Sequence, residues 1–356
     1  MDLMSVVVLA AVLALVPTML YAILIWWLDR YEKEPLPLLG VAFLWGALPA
    51  IILALILELS VGVPLEQIII SEQTREFTEA SLIAPIVEEA VKAVILVVLF
   101  LAYRREFDNV LDGIVYGAMV GLGFAFVENV LYLTSVAVNV PEGTPPDIGG
   151  MVGLWVLRAG LFGLNHSMFT AFTGAALGLA RSLRRGWQQG LVPALGLGMA
   201  MIFHALHNGL VSMVALFADS EADESLVLGA CLGALISDYG GILLALVLAI
   251  ISGTREKRII QDTLWEEVAL GRLAQDEYHT LISGRRRWGV RWMVLFTQGF
   301  GRWRQIGRFF DLATELAFRK HQMRDADPVL QNLCARDIAR LRQHIDNLKW
   351  SLLSTP

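Results

Sequence analysis

The chain has 356 residues, 56% hydrophobic and 17% charged, with a mean hydropathy of +0.59. A water-soluble domain is nearer half apolar and a quarter charged, so the excess points to lipid rather than to a large soluble core. A formal net charge of -6 gives no attraction for nucleic acid, and two cysteines, Cys231 in an apolar stretch and Cys334 in a polar one, do not make a disulfide framework.

A membrane-spanning helix needs about 20 apolar residues. Seven stretches meet that test: Leu3–Leu28, Leu36–Leu59, Ser81–Tyr103, Val110–Thr134, Met151–Ala180, Leu191–Ala215 and Ser225–Ser252. The first has no basic segment before it and runs past Trp26 and Trp27 without a small-residue cleavage site. It therefore reads as a retained span, not a removed signal peptide. In the fifth, Arg158 moves the start of the embedded part to about Ala159. The predicted fold is all-α, a polytopic bundle of seven transmembrane helices over residues 1–253 with a cytoplasmic helical tail over 254–356.

Lysine and arginine set the orientation. Arg30 and Lys33, then Arg104 and Arg105, then Arg181, Arg184 and Arg185 fall in alternate loops, and Arg255, Lys257 and Arg258 open the tail. The opposite loops hold only Arg75, with none at 135–150 or 216–224. This predicts the N-terminus outside and the C-terminus in the cytoplasm. Trp26, Trp27, Tyr103, Trp155 and Trp187 fall near span ends, as an aromatic belt requires. In the tail, Asp327 before Pro328 is a helix start, and that helix is expected to run to about Leu353. Between Arg285 and Phe310, arginines alternate with Trp and Phe. The apolar piece, Trp288 to Gly301, is too short to span a bilayer; it suits either an anionic leaflet surface or packing inside the tail.

Ionisable side chains inside a bilayer cost at least a few kcal/mol each, so they mark candidate sites. Span three reads APIVEEAVKA, with Glu88, Glu89 and Lys92, and Pro85 just upstream can kink the helix and free a carbonyl. Span four carries Glu128 and Asn129, span five Asn165 and His166, and span six His204, His207 and Asn208. At 1.5 Å per residue, Glu88, Glu128, His166 and His204 all reach roughly 8–16 Å below the outer surface. Two carboxylates and two imidazoles converging from separate helices suit zinc, with His166, His204 and Glu128 as ligands and a fourth position open to water. Glu88 or Glu89 would take the water's proton; Glu89 is the expected base, because i,i+4 spacing favours a Glu88–Lys92 ion pair. Asn208, one turn beyond His204, would bond the tetrahedral oxyanion.

Plainer readings of the same residues stand beside this one. Glu88 and Lys92 also read as a neutralised pair that fixes helix packing. His207 reads as a packing residue, and Asn129, Asn165 and Asn208 as interhelical hydrogen bonds. Asp238, in mid-span seven, has no evident partner, and Gly117, Gly121 and Gly123 read as close-packing faces.

At these positions the sequence resembles the PrsW family of intramembrane proteases, in the superfamily of the CAAX prenyl endopeptidases. The likeness rests on EExxK at Glu88, Glu89 and Lys92; on DGIVYGAMVGLGFAFVENVLY with Phe124 and Glu128; on NHSMFTAFTGAALG with His166; and on HALHN with His204 and Asn208. YEKEPLPLL at Tyr31–Leu39 resembles the family's first cytoplasmic loop, and the likeness covers about residues 21–215. Where His207 stands, the family more often has an aromatic. The resemblance implies cleavage of a membrane-anchored protein near the extracytoplasmic face, with an anti-sigma factor as the substrate of the best-known member. It also implies an alternative without metal, in which a glutamate activates water and His and Asn form an oxyanion hole. Two other classes fit the intramembrane charges: a proton- or ion-coupled transporter, though no matched pair of interrupted helices is evident, and a catalytically idle receptor or scaffold.

Overall fold

The computed structural model describes residues 1–69, 71–104, 106–141, 143–183, 185–218, 224–324 and 328–354; Arg105, Arg184 and Asp327 lie outside them. All secondary structure among the described residues is helical: α1 Leu3–Leu28, α2 Leu36–Trp45, α3 Ile51–Ile68, α4 Glu72–Thr78, α5 Ala84–Ala102, α6 Val110–Val138, α7 Ile148–Trp155, α8 Asn165–Ala180, α9 Gly186–Ala218, α10 Glu224–Ala269, α11 Gln275–Leu281, α12 Gly284–Arg324 and α13 Pro328–Ser354. Short π-helical turns at Gly46–Ala50, Glu79–Ile83 and Val156–Leu161 join α2 to α3, lead into α5 and follow α7. By length and composition, six stretches among the described residues can cross a membrane: Leu3–Leu28, Leu36–Ile68, Val110–Val138, Ile148–Ala180, Gly186–Phe217 and Glu224–Ala269. The remaining expected span, 81–103, forms α5, whose 19 residues carry Glu88, Glu89 and Lys92.

Residues form two compact units, Met1–Leu28 with Glu34–Ala249, and Asp29–Lys33 with Ile250–Pro356. In the first, α6 is the central element, buried over most of its length. Its start is fixed by a capping box: Asn109 Oδ1 accepts from the Leu111 amide at 2.7 Å and the Asp112 amide at 3.2 Å, while Asp112 accepts from the Asn109 amide at 2.9 Å. Gly113, Gly117 and Gly121 line one face of α6, four residues apart, and let α8 come to backbone contact. A Cβ on Gly121 would run into the carbonyl of His166, and one on Gly117 into that of Thr170. Gly123, on another face, meets the backbone of Phe43 in α2 in the same way. Gly121→Val should therefore push α8 away at His166. We expect it to lower stability by about 1–3 kcal/mol, read by thermal unfolding in detergent. Wild-type unfolding would show that the seam can part without cost.

The second unit packs Ile260, Leu264, Leu281, Phe310, Leu316 and Leu341 into its own core. Beside that core Lys320 Nζ lies 2.7 Å from Glu267 Oε1, and Arg342 Nε lies 3.1 Å from Glu267 Oε2. Buried Arg287 donates to the Leu281 carbonyl at 2.7 Å, the Thr314 hydroxyl at 2.9 Å and the Tyr31 carbonyl at 3.0 Å. Helix α12 is not straight. Gly299, at φ 82°, takes a conformation that L side chains rarely adopt and breaks it. Across the break Arg287 approaches Phe310 and Thr314, and Arg291 packs over Trp303 and against Gly307, so the two arms run antiparallel as a helical hairpin.

Candidate active site

Three helices of the first unit bring their chemistry to one point. Glu88 and Glu89 come from the first turns of α5, His166 is the second residue of α8, and His204 projects from the middle of α9. One ligand atom from each of the four lies within 4.8 Å of all the others. Glu89 and His204 are almost wholly buried, and Glu88 is 7% exposed.

Lys92 ties the group together. Its ammonium donates to Glu88 Oε2 at 3.0 Å and to Glu89 Oε1 at 2.9 Å, and lies 3.0 Å from His166 Nδ1. The ammonium also sits 3.8 Å from the centre of the Phe124 ring, a cation–π contact. The expected Glu88–Lys92 pair is present, but Lys92 holds Glu89 as well. Glu89 is the more tightly held of the two carboxylates: its other oxygen accepts from the Thr170 hydroxyl at 2.9 Å, and His204 Nδ1 lies 3.1 Å from Oε1. A carboxylate only accepts, so His204 Nδ1 carries the proton of that contact. Phe169 stacks on the His204 ring at 4.7 Å and sets its plane.

Glu128 stands at the edge. Its Oε2 lies 2.7 Å from His166 Nε2 and 2.9 Å from Arg158 Nη2, so it binds the His166 nitrogen that faces away from Lys92. Arg158 also donates to Asn129 Oδ1 at 3.0 Å and covers the Tyr132 ring at 4.0 Å. In the sequence Arg158 marked only the start of an embedded segment; the structure gives it a place beside the site. Glu58 of α3 was likewise passed over, one residue from the end of an expected span, yet it interacts electrostatically with Glu128 and Lys92.

Asn208 is not in the cluster. Its amide donates to the Ala80 carbonyl at 2.9 Å. The reason is local: in the π-turn Glu79–Ile83 each carbonyl bonds an amide five residues on, as Glu79 does with Ala84. Ala80 would need the amide of Pro85, which has none, and Asn208 supplies the missing donor. Asp238 has partners that the sequence did not reveal: Asn165 Nδ2 donates to its Oδ2 at 2.9 Å, and His207 Nδ1 lies 2.8 Å from the same oxygen. This group ties α8, α9 and α10 together next to His166.

A family model described as "PrsW family intramembrane metalloprotease" matches residues 34–236, more than half of the chain. The chain belongs to the PrsW family. The PrsW match contains Glu88, Glu89, Lys92, Glu128, His166, His204 and Asn208, and ends just before Asp238. Protease PrsW of Geobacillus kaustophilus is 34% identical over 154 residues, covering 43% of this chain and 58% of that protein. Protease PrsW of Clostridioides difficile is 36% identical over 129 residues, with 36% and 52% covered, and that of Bacillus subtilis 31% over 142 residues, with 37% and 60%. The chain thus spans between about half and three fifths of the length of these PrsW relatives. No solved structure matches it.

Proposed function

We propose that this chain is an intramembrane endopeptidase that hydrolyses a peptide bond of a membrane-anchored protein. The observation that carries this reading is the buried group of Glu88, Glu89, His166 and His204, gathered within 4.8 Å in a chain of membrane-spanning helices. Hydrolysis needs a base for water and a counter-charge for the oxyanion, and this group with the Lys92 ammonium at its centre offers both.

Glu88 is the base in this proposal. Among the described residues Lys92 gives it its one hydrogen bond, with His204 Nε2 at 3.8 Å and His166 Nδ1 at 4.0 Å, whereas Glu89 is fixed by Lys92, His204 and Thr170 and serves to aim His204. Glu128 aims His166 in the same way through the far ring nitrogen.

The donor set suits zinc. Two imidazoles and two carboxylates, with one ligand atom of each within 4.8 Å of the others, are nitrogen and oxygen donors of the kind zinc takes. His166, His204 and Glu89 would hold the ion, with Glu128 bracing His166 in place of the ligand role expected from sequence. A bound zinc would acidify water and polarise the peptide carbonyl. One observation favours the metal-free form: the Lys92 ammonium already lies against Glu88, Glu89 and His166. In that form the Lys92 ammonium faces the oxyanion, while Asn208 pins α9 to the turn before α5.

The distribution of Lys and Arg supports an external N-terminus and a cytoplasmic tail, which puts cleavage near the extracytoplasmic face. The family resemblance makes an anti-sigma factor the first substrate to try. The test uses purified full-length protein in detergent with single-span substrates carrying labelled juxtamembrane segments. Cleavage lost in Glu88→Gln and in His204→Ala supports the proposal; equal cleavage by both variants and wild type would refute it. Elemental analysis separates the two forms. One zinc per active chain, with activity lost to a strong chelator, supports the metal form; full activity without stoichiometric zinc leaves the glutamate form.

A further inference from the structure

The second unit carries a surface that proteolysis does not explain. On the first arm of the α12 hairpin, Trp288, Trp292 and Phe296 follow one another at four-residue spacing, and Met293 lies beside them. All four are exposed, Trp288 at 60% and Phe296 at 80%. Across the Gly299 break Phe300 is also exposed, at 62%, and stacks on Trp303. Trp288, Trp292 and Phe296 touch ring to ring, at 5.9 and 5.7 Å between centroids. The opposite side of the arm, with Arg287 and Val294, is the one buried in the unit. The arm therefore has two working faces, one packed and one left outward.

Charge says what the outward face meets. From Gly284 to Phe310 the sequence has seven arginines and no aspartate or glutamate. Arg285, Arg286, Arg304 and Arg308 are exposed around the aromatic ladder and the hairpin tip. An exposed Trp/Phe face rimmed by arginine is the composition of an interfacial helix: rings enter the boundary of the acyl chains while guanidinium groups meet phosphates. Gly299 turns the chain between the arms, and Phe296 and Phe300 on either side of it are both exposed. The tail follows directly on the α10 span, so a bilayer is always within reach of the unit.

We propose that the α12 hairpin docks on an anionic lipid surface through Trp288, Trp292, Phe296 and Phe300, with Arg285, Arg286, Arg304 and Arg308 contacting lipid phosphates.

The test uses the full chain in nanodiscs, with Cys231→Ser and Cys334→Ala and an environment-sensitive fluorophore on Phe296→Cys. Discs of phosphatidylcholine alone are compared with discs containing phosphatidylglycerol, each with and without bromine-labelled acyl chains. Docking predicts a blue-shifted emission, quenched by the brominated chains, in the anionic discs and reversed by high salt. Arg285→Gln with Arg286→Gln should weaken the docked state by about fivefold per arginine, with the thermal unfolding of the chain unchanged because both positions are exposed. Emission that stays water-like in both discs overturns the proposal. So does equal quenching in both, which would remove the role of charge. A label that is protected without lipid quenching and cross-links between chains would assign the face to a second copy instead, and overturns it too.

Discussion

Glu88→Gln is expected to slow peptide hydrolysis by about 100-fold to 10,000-fold, the usual contribution of a positioned general base, while the protein stays folded. The amide keeps the shape of the side chain and can still accept from Lys92 Nζ, which lies 3.0 Å from Glu88 Oε2. It cannot take a proton from water. Glu89→Gln should lose activity for a different reason. That carboxylate accepts from Lys92 and Thr170 and orients His204, so the change disturbs a buried network and should lower stability as well as rate. Single-turnover cleavage and thermal unfolding, measured on both variants, separate the roles. If Glu88→Gln cleaves at the wild-type rate while Glu89→Gln is inactive yet fully stable, the assignments are reversed.

Lys92→Met should be the most destabilising single change in the site. The ammonium is wholly buried and compensates two carboxylates at once. Removing one partner of a buried ion group costs about 3–5 kcal/mol, because charge is left uncompensated in a low-dielectric interior. The loss should appear in thermal unfolding in detergent, and the double variant Lys92→Met/Glu89→Gln should recover part of it. A single variant that unfolds with the wild type would mean the three charges do not depend on one another.

Much of the bundle was legible because lipid imposes a simple code: long apolar runs become helices, and any charge within them needs a reason. Matched depth was enough to single out Glu88, Glu128, His166 and His204 before their helices were placed. Rotation about each helix was not legible. Which side of His166 Glu128 would meet depends on Arg158, and Arg158 reaches it through a π-turn that no periodicity announces. The partner of Asn208 was not legible for a similar reason. Its partner is a backbone carbonyl left without a donor by a proline well over a hundred residues away in sequence. Asp238 looked partnerless because hydrogen bonds between distant spans leave no trace in local spacing.

The short segment Asp29–Lys33 is built into the same compact unit as the tail, where Arg287 holds the carbonyl of Tyr31. Parts of one folded body lie on one side of a bilayer. The chain that leaves residue 33 and returns at residue 250 must therefore cross an even number of times. Five long apolar helices lie along that path, an odd number. If all five cross, parity is restored when α5 crosses too. Helix α5 is as apolar on average as α6, and what sets it apart is three charged side chains within 19 residues, Glu88, Glu89 and Lys92. Deleting α5 would then do more than remove the cluster: it would strand the Asp29–Lys33 segment and the tail on opposite sides of the membrane, where the second unit could never close.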